Sequence, residues 1–335
     1  VASPITRVVA LIGWVGLIIC IALLIAQYTA QRDYYNVDRG LQERFHSLNE
    51  YGDVKVAIIN VSGVLIDGNG YVKRQIDRVR SDDNVKAVVL RVDSPGGTVA
   101  ASDYIYHHLK KLKQDKDIDL VVSMGSMAAS GGYYVSMAVG DEEQSIYAEP
   151  STITGSIGVI VPHYDISGLM EDFNVKDDSV ASGPHKQMLS MTRSMSDSDR
   201  EIVQAFVDDA FGQFKDVVKY GRPGFKADDG ALDALATGEI FTARQAKDHG
   251  LIDEIGFIED AIERVIELAD LDEREVRVIE YKRPITLMEE IVGVKQAGAA
   301  SLDPGVLLDL TAPRAYYLAT WLPAIVRSRR GTIGD

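Results

Sequence analysis

Short apolar runs recur through the middle of the chain, each followed by a segment with helical spacing. Val54–Val61 (VKVAIINV), Val85–Val92 (VKAVVLRV) and Asp119–Met124 (DLVVSM) are dominated by Val, Ile and Leu, the composition of strands buried on both faces. Between the first two, Tyr71–Arg80 places Val72, Ile76 and Val79 on one helical face; Thr98–Lys113 reads as a second helix. This alternation predicts an α/β fold with a mostly parallel sheet, because parallel neighbours need a crossover and a helix supplies it. In such sheets chemistry gathers at the carboxyl ends of strands. Two glycine-rich stretches fall there. Asp93-Ser94-Pro95-Gly96-Gly97 ends one run, and Gly125–Tyr134 (GSMAASGGYY) follows the next.

The rest of the chain extends the pattern. Ser145–Ala148 reads as a short strand, and Thr154–Ile160 (TGSIGVI) as a turn into a strand. Asp197–Val218 is a long amphipathic helix. Ala243–His249 is a helix capped by Thr242 and ended by Gly250, Phe257–Leu268 is another helix, and Val276–Tyr281 is a last strand. After Pro284 the pattern loosens. The apolar 306–326 segment is interrupted by Pro313, Arg314 and Pro323, which argues against a membrane span. It is expected to pack on a neighbouring subunit or a membrane surface.

Near the amino end, Val8–Ala26 (VVALIGWVGLIICIALLIA) carries no charge and has the length of a transmembrane helix. Tyr28 spoils a small-x-small site before Ala30, so an uncleaved anchor is expected rather than a signal peptide. Gln27–Asp53 is polar and reads as a helical stalk. The expected organisation is an anchor over 1–27, a stalk over 28–53, a catalytic domain over 54–283 and a C-terminal extension over 284–335. The extension is the candidate for oligomer or membrane contacts. With 35 basic and 50 acidic residues, the net charge of −15 argues against nucleic acid as a partner. The single cysteine, Cys20, lies inside the apolar run, so neither a disulfide framework nor a cysteine metal site is expected. No P-loop or ligand cluster occurs, so no cofactor, metal or nucleotide is expected.

Ser130 sits among small residues at a strand-to-helix turn, where little blocks a substrate and free helical N–H groups gather. The Pro95-Gly96-Gly97 turn can bring a bare backbone N–H close to a substrate, because glycine tolerates positive φ and has no Cβ in the way. The N–H of Gly131 could be a second donor. Such donors are each worth roughly 3 kcal/mol in an acyl-transfer transition state. Taken alone, Pro-Gly-Gly is an ordinary turn. The base is less obvious. None of the six histidines lies in a triad motif. His107 and His108 fall in a charged helix, His46 and His249 read as surface residues, and His163 and His185 remain near the strand ends. No motif places an acid to orient a histidine. Lys186, in ASGPHK, is the other candidate. A lysine replaces histidine when burial lowers its pKa from about 10.4 towards 7 and a hydroxyl holds it. Ser156 is the hydroxyl favoured for that role.

These residues carry a resemblance. DSPGG at Asp93–Gly97, GSMAASGGYYVS at Gly125–Ser136, TGSIGVI at Thr154–Ile160, SGPHK at Ser182–Lys186 and FTARQAKDHGLIDEIG at Phe241–Gly256 occur in the order found in the signal peptide peptidase A family. From about residue 54 to 283 the chain resembles these membrane-anchored Ser/Lys peptidases of the ClpP/crotonase superfamily. The resemblance implies repeated β-β-α units behind one transmembrane helix. It implies Ser130 as nucleophile, Lys186 as general base, Ser156 as the lysine-orienting hydroxyl, and Gly97 and Gly131 as oxyanion donors. It further implies a single-pass protein of the cell membrane with an extracytoplasmic catalytic domain. Its substrates would be remnant signal peptides and other unfolded apolar peptides. The chain has one catalytic unit, as in the short form of the family. For that form the resemblance implies a homo-oligomeric ring in which the serine of one protomer meets the lysine of the next. The chain departs from the family at Asp141–Gln144, an acidic insertion, and over its last 50 or so residues. Two rivals are a crotonase-type acyl-CoA enzyme, which needs neither anchor nor Lys186, and a non-enzymatic membrane scaffold, which does not need Ser130.

Overall fold

The computed structural model describes residues 41–282 and 316–318, together with Trp14. The apolar run 8–26 lies outside the described residues except for Trp14. Among the described residues no helix is long and apolar enough to cross a membrane. In chain order the first elements are β1 (Gln42–Leu48), β2 (Val54–Ser62), α1 (Tyr71–Ser81), β3 (Val85–Ser94), β4 (Gly96–Thr98), α2 (Val99–Lys116), β5 (Asp119–Ala129) and α3 (Gly131–Ser136). There follow β6 (Ile146–Ala148), β7 (Ile153–Gly155), α4 (Ser167–Asp172), α5 (Asp197–Gly221), α6 (Asp229–Leu235), β8 (Ile240–Thr242) and α7 (Ala243–Asp248). The last are β9 (Glu254–Ile255), α8 (Ile258–Leu268), β10 (Val276–Lys282) and β11 (Tyr316–Leu318).

The main sheet runs β1-β10-β2-β3-β5-β6-β9, with β7 alongside β5 and β8 alongside β7. Pairing from β10 through β9 is parallel. Only β1 on β10 and β8 on β7 are antiparallel within it. The expected mostly parallel α/β sheet is therefore present.

Its central strands β2, β3 and β5 are mainly apolar because each face is covered. Ala57 and Ile59 point into one core and Val56 and Ile58 into the other, as the two-residue strand period requires. The first core is closed by α1 and α2 through Ile76, Val79, Ile105 and Leu109. The second is closed by Ala261, Ile262, Val265 and Ile266 of α8, a helical stripe on one face. Each such fully buried Ile or Leu contributes roughly 2 kcal/mol. Thr98 caps α2 by accepting from the Ala101 N–H at 3.1 Å, and Thr242 with Gln245 forms a capping box on α7.

Three local readings change. Gln42–Leu48, read as part of a helical stalk, is an edge strand of the main sheet. In Thr154–Ile160 the strand comes before Ser156 rather than after it, because Gly155 (φ +81°) and Ser156 (φ +51°) break the extended run. Within 306–326, whose expected subunit or membrane contacts lie outside the described residues, Tyr316–Leu318 is a strand that pairs antiparallel with Gly96–Thr98 of the same chain.

Candidate active site

Strand β5 delivers Ser130, and it does so by changing partners. Up to Met124 it pairs with β6; from Met127 it pairs with β7. At that point its register against β3 jumps, from Val92↔Met124 to Ser94↔Ala128. The extra residues are pinned by the Asp93 carboxylate, which accepts from the Ser126 hydroxyl at 2.7 Å and from the Met127 N–H at 3.0 Å. Such a bulge re-aims a strand. The chain then turns sharply: Ser130 has φ 55°, ψ −115°, a conformation that costs a non-glycine residue about 1–3 kcal/mol. It is held there by the Ser130 N–H donating to the Gly155 carbonyl and the Tyr134 N–H donating to the Ser130 carbonyl, both at 2.8 Å. A strained serine at a strand-to-helix turn is the geometry of a nucleophile elbow. Ser130 is only 1% exposed, and its buried hydroxyl has no hydrogen-bond partner among the described residues.

The two candidate donors lie beside it. A Cβ added to Gly131 would stand 3.1 Å from the Gly97 nitrogen, and one added to Gly96 would stand 2.6 Å from the Gly131 nitrogen. The two backbones can approach this closely only because Gly96 and Gly131 carry no Cβ. Ser94 fixes the approach, its hydroxyl donating to the Gly63 carbonyl at 2.7 Å and accepting from the Gly96 N–H at 3.1 Å. Ser156 is placed from the other side. It is buried, directly follows the Gly155 carbonyl that Ser130 reaches, and has its own positive φ of 51°. The backbones of Ser130, Ser156, Gly97 and Gly131 therefore lie close together.

Lys186 does not join them within one chain. It is exposed, and its amine makes no hydrogen bond or ion pair among the described residues. It rides on a projecting segment: none of residues 158–198 is buried. That segment is stitched to itself, with the Ile166 N–H donating to the Met191 carbonyl at 2.9 Å and His163 Nε2 lying 3.0 Å from the Ser190 carbonyl. Asp165 accepts from the Ser167 and Ser194 hydroxyls, which hold its carboxyl down at about 2.

Of the histidines, His163 is taken by the Ser190 carbonyl, and burial pushes His108 below its ordinary value. Sequence reasoning missed one group. Asp199, in the first turn of α5, is the sole acidic or basic side chain in the buried class among the described residues. It receives His185 Nδ1 at 2.7 Å and Arg193 Nη2 at 2.6 Å. The Asp199 carboxyl is held below its ordinary 3.8, first by the His185 ring and then by the Ser196 hydroxyl and Arg193. A carboxyl lowered in the folded state stabilises above its unfolded value and loses that contribution as pH falls through the lowered one. Asp199→Asn is therefore expected to make the acid limb of a Tm profile between about pH 6 and 2 shallower. Asp82, Asp165 and Asp177 are lowered as well, so the limb does not vanish. An unchanged acid limb would contradict the assignment.

An apolar cleft of about 750 Å³ adjoins β4, with Ile66, Val99, Val161, Leu189, Ile202 and Phe206 among its walls. Val99 directly follows β4 and Leu189 lies three residues past Lys186, so the donor loop and the lysine loop border one cleft. Strand β11 lies against β4, with Tyr317 opposite Gly97 and Tyr316 bridged to Ile160. The Tyr317 ring is buried, stacks on Tyr134 and donates to the Ala210 carbonyl at 2.9 Å.

A parallel sheet that brings an unpartnered serine to closely set glycine N–H groups is the arrangement of an α/β serine hydrolase. The chain belongs to peptidase family S49, whose profile matches residues 112–272, and it is a serine-type protease. It is 36% identical over 239 residues to a putative protease of Synechocystis sp., covering 71% of this chain and 83% of that one. It is 33% identical over 268 residues to a putative signal peptide peptidase SppA of Enterococcus faecium, covering 74% and 75%. Protease 4 of Salmonella typhi is 35% identical over 224 residues, 64% of this chain but only 35% of the longer relative. The observed architecture fits the ClpP-like fold of this family.

Proposed function

We propose that the chain is a membrane-anchored serine endopeptidase working through a Ser/Lys dyad. Ser130 attacks a peptide carbonyl, Gly97 and Gly131 hold the oxyanion, and Lys186 takes the serine proton and returns it to the leaving amine. Water then hydrolyses the acyl-enzyme with the same base. Ser156 orients the lysine. The observation that carries this reading is the strained, buried Ser130 hydroxyl with no partner, set beside the Gly97 and Gly131 backbones. The exposed, unpaired Lys186 on a segment without buried residues supports a base that completes the neighbouring subunit's site in a ring. The apolar cleft supports unfolded apolar peptides as substrates, remnant signal peptides among them. That β4 already accepts an extended chain, β11, supports a substrate pairing as a strand; on that edge it takes the place of Tyr316–Leu318.

A second reading has one observation in its favour. The Asp199–His185 pair is an acid orienting a histidine, so His185 is a rival base. A kinetic panel separates the two. Ser130→Ala and Lys186→Ala are expected to lower peptidase activity by at least about 10³-fold while the fold persists, and His185→Ala to keep substantial activity. A dead His185→Ala beside an active Lys186→Ala would reverse the assignment.

The anchor is proposed over 1–27, followed by a linker that reaches the sheet at Gln42, a catalytic domain to about 283 and a C-terminal extension. The catalytic domain is placed outside the cytoplasm. Deleting residues 1–27 is expected to give a soluble protein that still cleaves small peptides. The full chain is expected to stay with membranes through carbonate extraction. Its release by carbonate would rule out a spanning helix.

A further inference from the structure

The Asp199 cluster surrounds Lys186 in sequence without touching it. One carboxylate oxygen receives His185, the residue before Lys186, at 2.7 Å. The other receives Arg193 Nη2 at 2.6 Å, and the Nε of the same guanidinium donates to the carbonyl of Gln187, the residue after, at 3.1 Å. The chain is thus fixed immediately before and after the lysine, and both fixings end on one buried carboxylate. Asp199 is itself anchored: it lies in the first turn of the long α5, where its N–H donates to the Ser196 hydroxyl at 3.2 Å. Farther along, α5 is bound into the core through Phe214 and Val218. The remaining fixings of the lysine turn are local: the Lys186 N–H donates to the Gly183 carbonyl at 3.3 Å, the Met188 N–H to the His185 carbonyl at 3.1 Å and the Ser190 N–H to the Gln187 carbonyl at 2.9 Å. No residue in 158–198 is buried. Asp199 is therefore the one buried charged tie between the lysine segment and the body of the protein among the described residues.

A buried carboxylate is costly unless paired and hydrogen-bonded, and this one spends one oxygen on the residue before Lys186 and the other on the arginine that holds the residue after it. An arginine fork spans the Asp199 carboxylate and the Gln187 carbonyl from two nitrogens held in one plane, whereas a lysine has a single nitrogen and no such fixed spacing. We propose that Asp199, with Arg193 and His185, is a positioning clamp that sets the Lys186 turn in register for proton transfer. The inference rests on the reading of Lys186 as the base. It assigns the Asp–His contact a mechanical role and leaves His185 out of the chemistry. General-base catalysis is sensitive to about an ångström of misplacement, which can cost about 10²-fold in rate. The clamp therefore acts mainly on kcat; Leu189, three residues past Lys186, borders the apolar cleft, so a smaller change in KM accompanies it.

The test compares full-length Lys186→Ala, Asp199→Ala, Arg193→Lys and Arg193→Ala on one short apolar peptide, measuring kcat, KM and the rate of fluorophosphonate labelling. The clamp predicts that Asp199→Ala lowers kcat about 100-fold with KM within about twofold, and slows labelling in step. Arg193→Lys, which keeps the charge beside Asp199 but not the fork, is expected to lose about tenfold and to rescue little over Arg193→Ala. Arg193 is 36% exposed in its side chain, so this pair carries the test if Asp199→Ala does not fold. The clamp is overturned if Asp199→Ala and Arg193→Lys keep kcat within about twofold, if KM alone moves, or if Arg193→Lys restores wild-type rates. A dead Lys186→Ala beside those results leaves the base reading standing and removes only the clamp. An active Lys186→Ala removes the base reading, and the clamp with it.

Discussion

Subunits carrying Ser130→Ala, unfolded and refolded together with an equal amount of Lys186→Ala subunits, are expected to regain about one quarter of wild-type peptidase activity. The figure is the chance that an intact Ser130 faces an intact Lys186 when neighbours in a closed ring are drawn independently. Each variant alone is expected to be inactive. The reason lies in the placement of the two groups. Ser130 is buried at the end of β5 with no partner for its hydroxyl. Lys186 stands exposed on a segment with no buried residue. A head-to-tail ring offers each site the projecting segment of the next subunit. If the dyad closed within one chain, every subunit in the mixture would lack one partner. A mixture that stays dead, with mixed oligomers verified by mass, would contradict the shared site and leave the Ser/Lys chemistry in place.

Gly97→Ala is expected to lower kcat by about 10²–10³-fold, the cost of losing an oxyanion donor. A Cβ at that position would meet the Leu65 carbonyl oxygen at 1.9 Å, and that carbonyl accepts the Thr98 N–H at 2.8 Å. The strand must move away from Leu65, and the Gly97 N–H moves with it. Gly131→Ala meets the Ser102 hydroxyl oxygen at 2.4 Å and the Gly97 nitrogen at 3.1 Å, so it is expected to follow the same direction. Gly224→Ala is the control, since nothing lies within 4 Å of its added Cβ; kcat there is expected to stay within about twofold. Steady-state kinetics with melting curves checks the set. Gly97→Ala with kcat within about threefold of wild type would contradict the donor assignment.

What was legible in the sequence follows from how each element is stabilised. The central strands were plain because both of their faces are buried, which forces near-continuous Val, Ile and Leu. Strand β1 was not. It pairs only with β10, and its Glu43 is spent on a salt bridge to Lys55 at 2.9 Å, so its composition is that of a polar linker. Ser130 could be picked out because small residues crowd a strand-to-helix turn. Ser156 and Lys186 carry a weaker local signal, a hydroxyl and an amine in ordinary turns, and the order of the motifs is what singled them out from similar residues. Asp199 had none at all: its partners lie 14 and 6 positions away, and one aspartate in the first turn of a helix looks like any favourable dipole partner. Strand β11 is three residues long and pairs with a segment some 220 positions earlier, a tertiary pairing that no periodicity reveals.

The most direct measurement is to label the full-length protein with a serine-reactive fluorophosphonate, digest it, and locate the adduct by mass spectrometry. The account predicts a single adduct on Ser130, abolished by Ser130→Ala and strongly slowed by Lys186→Ala. An adduct on any other serine, or labelling of Ser130 at an unchanged rate in Lys186→Ala, would contradict it.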